Sequence, residues 1–245
     1  MTVSRYLAMT AAEIHVAQTL PPKLAYMACH FSPYGLGLSN CPEQLPPGAM
    51  LMVNDRTPIS GHDPGIIAAQ LSQLVDALEC GSVLLDFQRP DCQETAELCA
   101  ALTSTLTCPV CVSDLYAGEL TCPVFLPPPA LNQPLKDHLS SWAGREIWLE
   151  AALEAACITV TEQGSRYTPQ AYAAPTDACF TEEALHCHYR QEVAEDKIIF
   201  HLYRSEEDLE ALLEEAEALG VKKAVGLYQQ LGLPVEKSET IHKDL

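Results

Sequence analysis

Short apolar runs recur along the chain, and each of them ends in polar residues. Each run holds four to six apolar residues, which is typical of a strand that is buried on both faces of a parallel sheet. The pattern predicts eight strands, at residues 24–30, 49–55, 82–88, 109–114, 123–127, 146–150, 197–203 and 223–229.

Helical patterns lie between several of these runs. One helix is predicted to begin after Asp63, which can serve as its N-cap, and another begins near Asp91. A shorter helix is predicted over residues 133–143. The clearest helix is SEEDLEALLEEAEALG at residues 205–220, in which leucines recur at helical spacing while acidic residues cover the other face. Residues 197–229 therefore read as a strand–helix–strand unit.

The alternation of strands and helices favours a mainly parallel sheet, and eight strands in 245 residues indicate a (β/α)8 barrel. Two connections depart from the ideal pattern. The link between the strands at 109–114 and 123–127 is too short for a crossover helix. The loop at 31–48 is rich in Pro and Gly, and it either folds over the barrel mouth as a lid or only fills the space of a missing helix. We expect an irregular barrel with missing helices.

Residues 151–196 interrupt this pattern. ACITVTEQGSRYTPQ carries β-branched residues on both sides of Gly164 and predicts a hairpin, and LHCHYRQEV alternates like a strand. We therefore expect one barrel domain over residues 1–245, with a small β-rich insertion at residues 151–196.

The charge of the chain limits the classes of partner. There are 33 Asp and Glu residues against 14 Lys and Arg residues, and the formal net charge is -19. Such a chain is a poor partner for nucleic acid or for an anionic membrane surface, whereas a neutral or amino-sugar ligand fits it better. No apolar run reaches the length of a membrane helix, and the N-terminal segment reads as mature protein. The pattern does not predict an oligomeric state.

The cysteines and glycines carry no framework or cofactor motif. The 11 cysteines are odd in number and scattered, which favours reduced thiols in a cytoplasmic protein over a disulfide scaffold. The Gly35-x-Gly37 pair is too short for a phosphate-binding fingerprint. We therefore expect no cofactor.

The ends of the predicted strands carry most of the candidate chemistry. In a (β/α)8 barrel the carboxyl ends of the strands and the loops after them build the active face. Either these polar residues converge on one pocket, or charge merely follows each buried strand. The candidates are His30, Asp55, Arg56, Asp86, Gln88, Arg89, Asp114, Tyr116, Glu150, His201, Tyr203, Arg204 and Gln229.

Strand alternation selects two acids from this set. Asp86 and Gln88 share one face of the third predicted strand, and Trp148 and Glu150 share one face of the sixth. An inward Trp can stack on a sugar ring, and a nearby carboxyl can act as acid or base. The alternative is that Trp148 packs outward beneath the helices. Asp86 and Glu150 are the catalytic candidates, and Trp148 joins the binding candidates.

Two segments resemble a known family. CGSVLLDFQ is similar to the signature strand of the glycoside hydrolase family 18 barrels, whose pattern is D-x-x-D-x-D-x-E, with Asp86 at the last Asp. HYRQEV and the segment KIIFHLYRSEEDLEALLEEAEALGVKKAVGLYQQLG resemble the final strands and helix of these chitinase-like barrels. The resemblance implies a sugar-binding barrel with an acid on the signature strand.

The chain departs from the family pattern in ways that bear on activity. Gln88 occupies the position of the catalytic Glu, and a Gln cannot donate a proton to a leaving group. Val83 or Leu84 stands where another Asp belongs, and Tyr228 replaces the Trp of the last strand. The signature also falls on the third predicted strand, while the family carries it on the fourth. A degenerate sugar-binding relative, or an enzyme with its acid moved to Glu150, would fit these departures.

Two other functions remain open on the sequence. A non-catalytic interaction protein on a degenerate barrel would also account for Gln88. A metal-dependent hydrolase would need ligands such as His30, Asp55, Asp86 and His201 to converge. Cys108 and Cys111 form an isolated CxxC, without the second pair that a structural zinc site requires. The leading expectation is a carbohydrate-active or carbohydrate-binding barrel.

Overall fold

The structure is a computed structural model that describes residues 3–34, 37–59, 61, 63–90, 93–175 and 179–231. In chain order its strands are β1 (Ser4–Met9), β2 (Leu24–Phe31), β3 (Leu38–Ser39), β4 (Met50–Asn54), β5 (Ser82–Asp86), β6 (Val110–Ser113), β7 (Val124–Leu126), β8 (Ile147–Ala151), β9 (Glu154–Thr161), β10 (Gly164–Gln170), β11 (Phe180–Glu182), β12 (Cys187–Val193), β13 (Ile198–Arg204) and β14 (Lys223–Leu227). Its helices are α1 (Ala11–Val16), α2 (Pro64–Ala77), α3 (Gln93–Thr105), α4 (Asp114–Ala117), α5 (Leu135–Ser140), α6 (Glu206–Ala218) and α7 (Tyr228–Leu231).

Eight of the described strands close into a parallel barrel. The order is β1, β2, β4, β5, β6, β7, β8 and β14, and β1 pairs with both β2 and β14 to complete the ring. The predicted irregular (β/α)8 barrel is therefore confirmed. Within the described residues, no helix is both long and apolar enough to cross a membrane.

Two strand assignments made from the sequence were wrong. One barrel strand was missed and one strand was wrongly placed in the barrel, so the predicted number of eight barrel strands is still correct. The first barrel strand is β1, which the sequence analysis did not predict; Tyr6, Ala8 and Met9 are buried in it, while Arg5 is exposed. The run at 197–203 is instead β13, which pairs only with antiparallel neighbours in a second sheet. Each predicted strand from 24–30 to 146–150 therefore moves up by one position in the barrel.

The barrel interior is filled by one layered cluster of side chains. Trp148 is fully buried in it, and its indole Nε1 donates to Glu146 Oε1 at 2.8 Å. The Lys223 Nζ lies 3.8 Å from the centre of the Trp148 ring. Because this contact sits at the amino end of the strands, it closes the bottom of the barrel. The other buried members are Tyr6, Ala8, Ala25, Met50, Met52, Leu84, Cys111, Phe125 and Val225.

The outer ring of helices is incomplete, as the irregular connections predicted. Full-length helices follow β4, β5 and β13, and α6 begins with a capping box between Ser205 and Asp208. By contrast, α1 buries none of its residues and α4 has only four. In the described part of the loop between β2 and β4 there is the short strand β3 and no helix. The predicted helix start at Asp91 and the glycine at position 35 lie outside the described residues.

A second sheet is inserted between β8 and α6. Its five described strands run antiparallel in the order β10, β9, β13, β12, β11, and a two-residue turn before Gly164 (φ +131°) makes the predicted hairpin. The sheet runs from Glu154 to Arg204, so it includes a strand that lies beyond the predicted insertion at 151–196.

Arg204 anchors this sheet at its junction with the barrel. Its side chain is fully buried and forms an ion pair with Glu154. The guanidinium also donates to the carbonyl of Pro129 at 3.2 Å and to that of His186 at 3.3 Å. Burial lowers the pKa of Arg204, while Glu154 opposes that shift. One charged side chain therefore connects three segments.

Replacing Arg204 with Met is expected to lower the free energy of unfolding by about 3 kcal/mol, because a buried charge pair loses one partner. Arg166→Met is the matched control, since Arg166 is exposed on β10 and its loss should cost less than about 0.5 kcal/mol. Urea denaturation of both variants measures the difference. Equal losses would show that Arg204 is not an anchor.

Candidate functional site

A cavity of about 330 Å³ opens at the carboxyl ends of the first four barrel strands. Parallel strands bring their carboxyl ends to one rim, so residues far apart in sequence meet there. We call this cavity the mouth. It is lined by Thr10, Met27, Ala28, His30, Asn40, Met52, Asn54, Arg56 and Asp86.

An irregularity in β2 shapes one wall of the mouth. The pairing of β2 with β4 shifts register between Tyr26 and Cys29, as in a β-bulge. The Asn54 side-chain amide donates to the freed carbonyls of Met27, at 3.2 Å, and Cys29, at 3.1 Å. These hydrogen bonds fix Asn54 at the rim.

Two acids and an amide form the polar centre of the site. Gln88 Nε2 donates to Asp86 Oδ1 at 2.6 Å. Burial raises the pKa of Asp86, the Gln88 hydrogen bond opposes this rise, and the charge of Asp55 adds to it. Burial also raises the pKa of Glu150 to about 7, and the charges of Asp86 and Glu154 contribute to that rise. The charge of Asp86 is therefore one of the causes that raise the pKa of Glu150.

Three predicted site residues hold the loop after β5 in place. The buried carboxylate of Asp55 accepts from the backbone N–H groups of Gln88 at 3.0 Å and Arg89 at 2.7 Å. Arg89 donates in return to the carbonyls of Asp55 at 2.8 Å and Arg56 at 2.9 Å. The Tyr116 hydroxyl donates to the carbonyl of Arg89. The side chains of Asp55, Arg89 and Tyr116 thus hydrogen-bond to backbone groups.

Other predicted residues lie away from the mouth. Tyr203 and His201 are on β13 in the second sheet, where His201 Nδ1 lies 3.3 Å from Cys157 Sγ. Arg204 also lies on β13, so it is not at a barrel strand end; it is the buried residue that anchors the second sheet. Trp148 faces inward, but it is fully buried below the mouth and presents no ring surface to a ligand.

Two more candidates occupy the ends of short helices. Asp114 begins α4, where its carboxylate accepts from the backbone N–H of Leu115 at 2.9 Å. Gln229 follows β14 and bonds to Glu13 on α1, and this hydrogen bond helps to lower the pKa of Glu13 against the effect of its burial. Of the predicted set, His30, Arg56 and Asp86 line the mouth, and Gln88 is hydrogen-bonded to Asp86.

Thr10 and Asn40 are among the lining residues that the sequence analysis did not select. Thr10 follows the unpredicted β1, although Thr10 and Glu13 form a capping box that could have revealed a strand ending there. Asn40 has a φ of +53°, a left-handed conformation that Asn tolerates better than most residues. The sequence signal for Asn40 was its position in the Gly-rich loop at 31–48, which was considered as a lid over the barrel mouth.

The ligand set of a metal enzyme does not assemble. His201 is in the second sheet, away from His30 and Asp86 at the mouth, and the carboxylate of Asp55 already accepts two backbone N–H groups. Across the described ranges, no group of three or more His, Cys, Asp or Glu side chains is placed to hold a metal ion.

The fold has counterparts among solved structures, although no protein-family model and no curated protein matches the sequence. The spore cortex-lytic enzyme SleL of Bacillus cereus is 9% identical, with a TM-score of 0.60 over 95% of this chain and 72% of that protein. A mutant GH18 chitinase of Cycas revoluta, solved in complex with (GlcNAc)4, is 10% identical, with a TM-score of 0.58 over 93% of this chain and 96% of that one. A chitinase from Chromobacterium violaceum is 9% identical, with a TM-score of 0.54 over 94% of this chain and 95% of its own.

The distant resemblance to glycoside hydrolase family 18 barrels is thus confirmed at the level of the fold. The structure also removes one disagreement with the family pattern. Because β1 is the first strand, β5 with Asp86 is the fourth strand of the barrel, which is the strand that carries the family signature. Gln88 still stands in the position of the family's catalytic Glu.

Replacing Asp55 with Ala is expected to destabilise the fold by about 2 kcal/mol, because two backbone N–H groups lose a charged acceptor. Asp55→Asn keeps one acceptor oxygen and should cost less. Asp76→Ala, at an exposed position on α2, should change stability by less than about 0.5 kcal/mol. Urea denaturation would refute this role if Asp55→Ala were as mild as Asp76→Ala.

Glu150 is expected to make stability depend on pH. Its folded pKa of about 7 lies above the ~4.3 of an exposed Glu. The folded protein therefore keeps a proton that the unfolded chain loses, and stability falls as pH rises between these values, by on the order of 3 kcal/mol. Glu150→Gln, which stays neutral, should lack this loss.

The comparison requires denaturation of both proteins at about pH 4.5 and about pH 8. The difference between wild type and Glu150→Gln should widen at the higher pH. Glu214→Gln, on the exposed face of α6, should show no such widening. A constant difference for Glu150→Gln would contradict the raised pKa.

Proposed function

We propose that the protein is a carbohydrate-active barrel that binds an amino-sugar oligosaccharide at the mouth and hydrolyses a glycosidic bond with Glu150 and Asp86. The observation that carries this proposal is the pair itself. Burial raises the pKa of Glu150 to about 7, the charge of Asp86 contributes to that rise, and the Asp86 carboxylate accepts a hydrogen bond from Gln88. Two carboxyl groups in unlike environments are what an acid and its partner require.

The two acids take different roles in this reaction. Glu150, protonated near neutral pH, donates its proton to the leaving oxygen of the glycosidic bond. Asp86, whose carboxylate accepts a hydrogen bond from the Gln88 amide, either activates a water molecule or attacks the sugar carbon itself. Water supplies the hydroxyl of the released sugar, and its remaining proton returns to the carboxylate that gave one up.

The lining of the mouth suits a neutral polar ligand. Asn40 and Arg56 contribute an amide and a guanidinium group to its lining, and Met27 and Met52 add apolar surface. With a net charge of -19 the chain repels polyanions. The similar chitinase solved with (GlcNAc)4 supports an N-acetylated amino sugar as the first ligand to test.

A second function is favoured by one specific observation. Gln88 replaces the acid on the strand that carries the family signature, and its amide is committed to Asp86 at 2.6 Å. On that ground the alternative is a non-catalytic sugar-binding or interaction protein, in which Asp86 and Gln88 together contact the ligand.

Calorimetric titration with (GlcNAc)4, together with chromatography of the products, separates these functions. Wild type should bind and cleave the oligosaccharide, and turnover should fall as pH rises above about 7, where Glu150 loses its proton. Glu150→Gln should reduce turnover by about 10²–10⁴-fold while it changes affinity by less than about threefold. Glu214→Gln is the control for removal of a remote acid and should leave both unchanged.

Each other outcome has a definite reading. Binding without cleavage by wild type would establish the non-catalytic alternative. Cleavage that survives Glu150→Gln would refute Glu150 as the acid. No binding of (GlcNAc)4 would refute the amino-sugar ligand and with it the proposed function.

A further inference from the structure

Two thiols face each other beside the mouth. Cys29 lies on β2, and Cys41 lies in the loop that follows β3. Their sulfur atoms are 3.8 Å apart and hydrogen-bonded. A disulfide needs a sulfur separation of about 2 Å, so the two thiols must approach by less than about 2 Å to form one.

The backbone around both cysteines holds them in this position. Ser39 pairs with His30 across the short β2–β3 hairpin, which places the loop alongside β2. The Tyr26 hydroxyl then donates to the carbonyl of Asn40 at 2.7 Å. Cys41 is the next residue, so its approach to Cys29 follows from two independent contacts of its neighbours.

The two thiols differ in accessibility and acidity. Cys41 is exposed, whereas Cys29 is fully buried. The hydrogen bond from the Cys29 thiol lowers the pKa of Cys41, against the effect of its partial burial. The same contact, followed by burial, raises the pKa of Cys29. A reagent in solution therefore meets Cys41 as the reactive thiol, with Cys29 directly behind it.

We propose that Cys41 and Cys29 form a thiol modification site for a small disulfide of the glutathione class. The Cys41 thiolate attacks one sulfur of the oxidised reagent, its proton goes to water, and one glutathione thiolate leaves. Cys29 then attacks the Cys41 sulfur, and the second glutathione leaves with the Cys29 proton. Two protein thiols are oxidised to one disulfide, and one reagent disulfide is reduced to two thiols.

The cross-link would act on the mouth through Asn40. This residue lines the mouth and immediately precedes Cys41. A bond from Cys41 to a barrel strand fixes that part of the rim, so ligand affinity should differ between the oxidised and reduced protein. This consequence rests on the proposed sugar-binding function, whereas formation of the disulfide does not.

The chain offers a direct test. Trypsin cuts after Lys23 and Arg56, and the peptide 24–56 between them contains Cys29 and Cys41 as its two cysteines. The full chain is incubated with oxidised glutathione, and its remaining free thiols are blocked with N-ethylmaleimide under denaturing conditions. The protein is then digested with trypsin, and the mass of peptide 24–56 is measured by mass spectrometry. The expected peptide carries no maleimide and no glutathione, and it is two hydrogen masses lighter than its reduced form.

Variants distinguish this reaction from general oxidation. Cys41→Ser should leave Cys29 free to take one maleimide after denaturation. Cys157→Ser, which removes a thiol hydrogen-bonded to His201, should form the cross-link as wild type does. Glutathione that persists on Cys41, or two maleimides on peptide 24–56, would overturn the proposal.

The consequence for binding has its own readout. Oxidised and reduced wild type should differ at least threefold in affinity for (GlcNAc)4, and Cys41→Ser should not respond to the oxidant. A cross-link without a change in affinity would overturn the effect on the rim. A cross-link in a protein that never binds (GlcNAc)4 would refute the proposed function and leave the modification site standing.

Discussion

Closure of the barrel by β1 is the constraint on which the other features depend. The strand pairs with β14 on one side and with β2 on the other, so it removes the two edges that an open sheet would expose. Closure also sets the rim, because it brings Thr10, at the end of β1, beside the ends of β2, β4 and β5. The mouth, with Asp86 in its lining, forms only when the ring of strands is closed.

The apolar pattern predicted the fold class, and it failed where burial is uneven. Seven of the eight barrel strands read as apolar runs because they are covered on both faces. The strand β1 was missed: Tyr6 and Ala8 are buried, while Arg5 is exposed and forms an ion pair with Glu210 on α6. The run at 197–203 was misassigned for the converse reason. A strand of an inserted sheet with one packed face, around Leu202, can be as apolar in sequence as a barrel strand. The periodicity of apolar residues indicates that a strand is buried, but it does not indicate to which sheet the strand belongs.

Strand-end reasoning located the centre of the candidate site but could not sort its residues. Asp86 and Glu150 follow from strand alternation, because their inward parity survives the change in strand number. Asp55 and Tyr116 lie at strand ends for another reason, which is that a tight loop needs acceptors and donors for its own backbone. No pattern of residue types separates a carboxylate that binds backbone N–H groups from one that faces a ligand.

The electrostatics around Asp86 explain how Gln88, just beyond the carboxyl end of β5, is compatible with the acid role proposed for Glu150. An acid at position 88 would place a second carboxyl group beside Asp86, and neighbouring like charges oppose each other's ionisation. The amide instead donates to Asp86 and opposes the rise in the Asp86 pKa that burial causes, while burial raises the pKa of Glu150 to about 7. Asp86 therefore connects the two features, because it accepts a hydrogen bond from Gln88 and its charge contributes to the raised pKa of Glu150. Gln88 on its own does not mark the barrel as inactive.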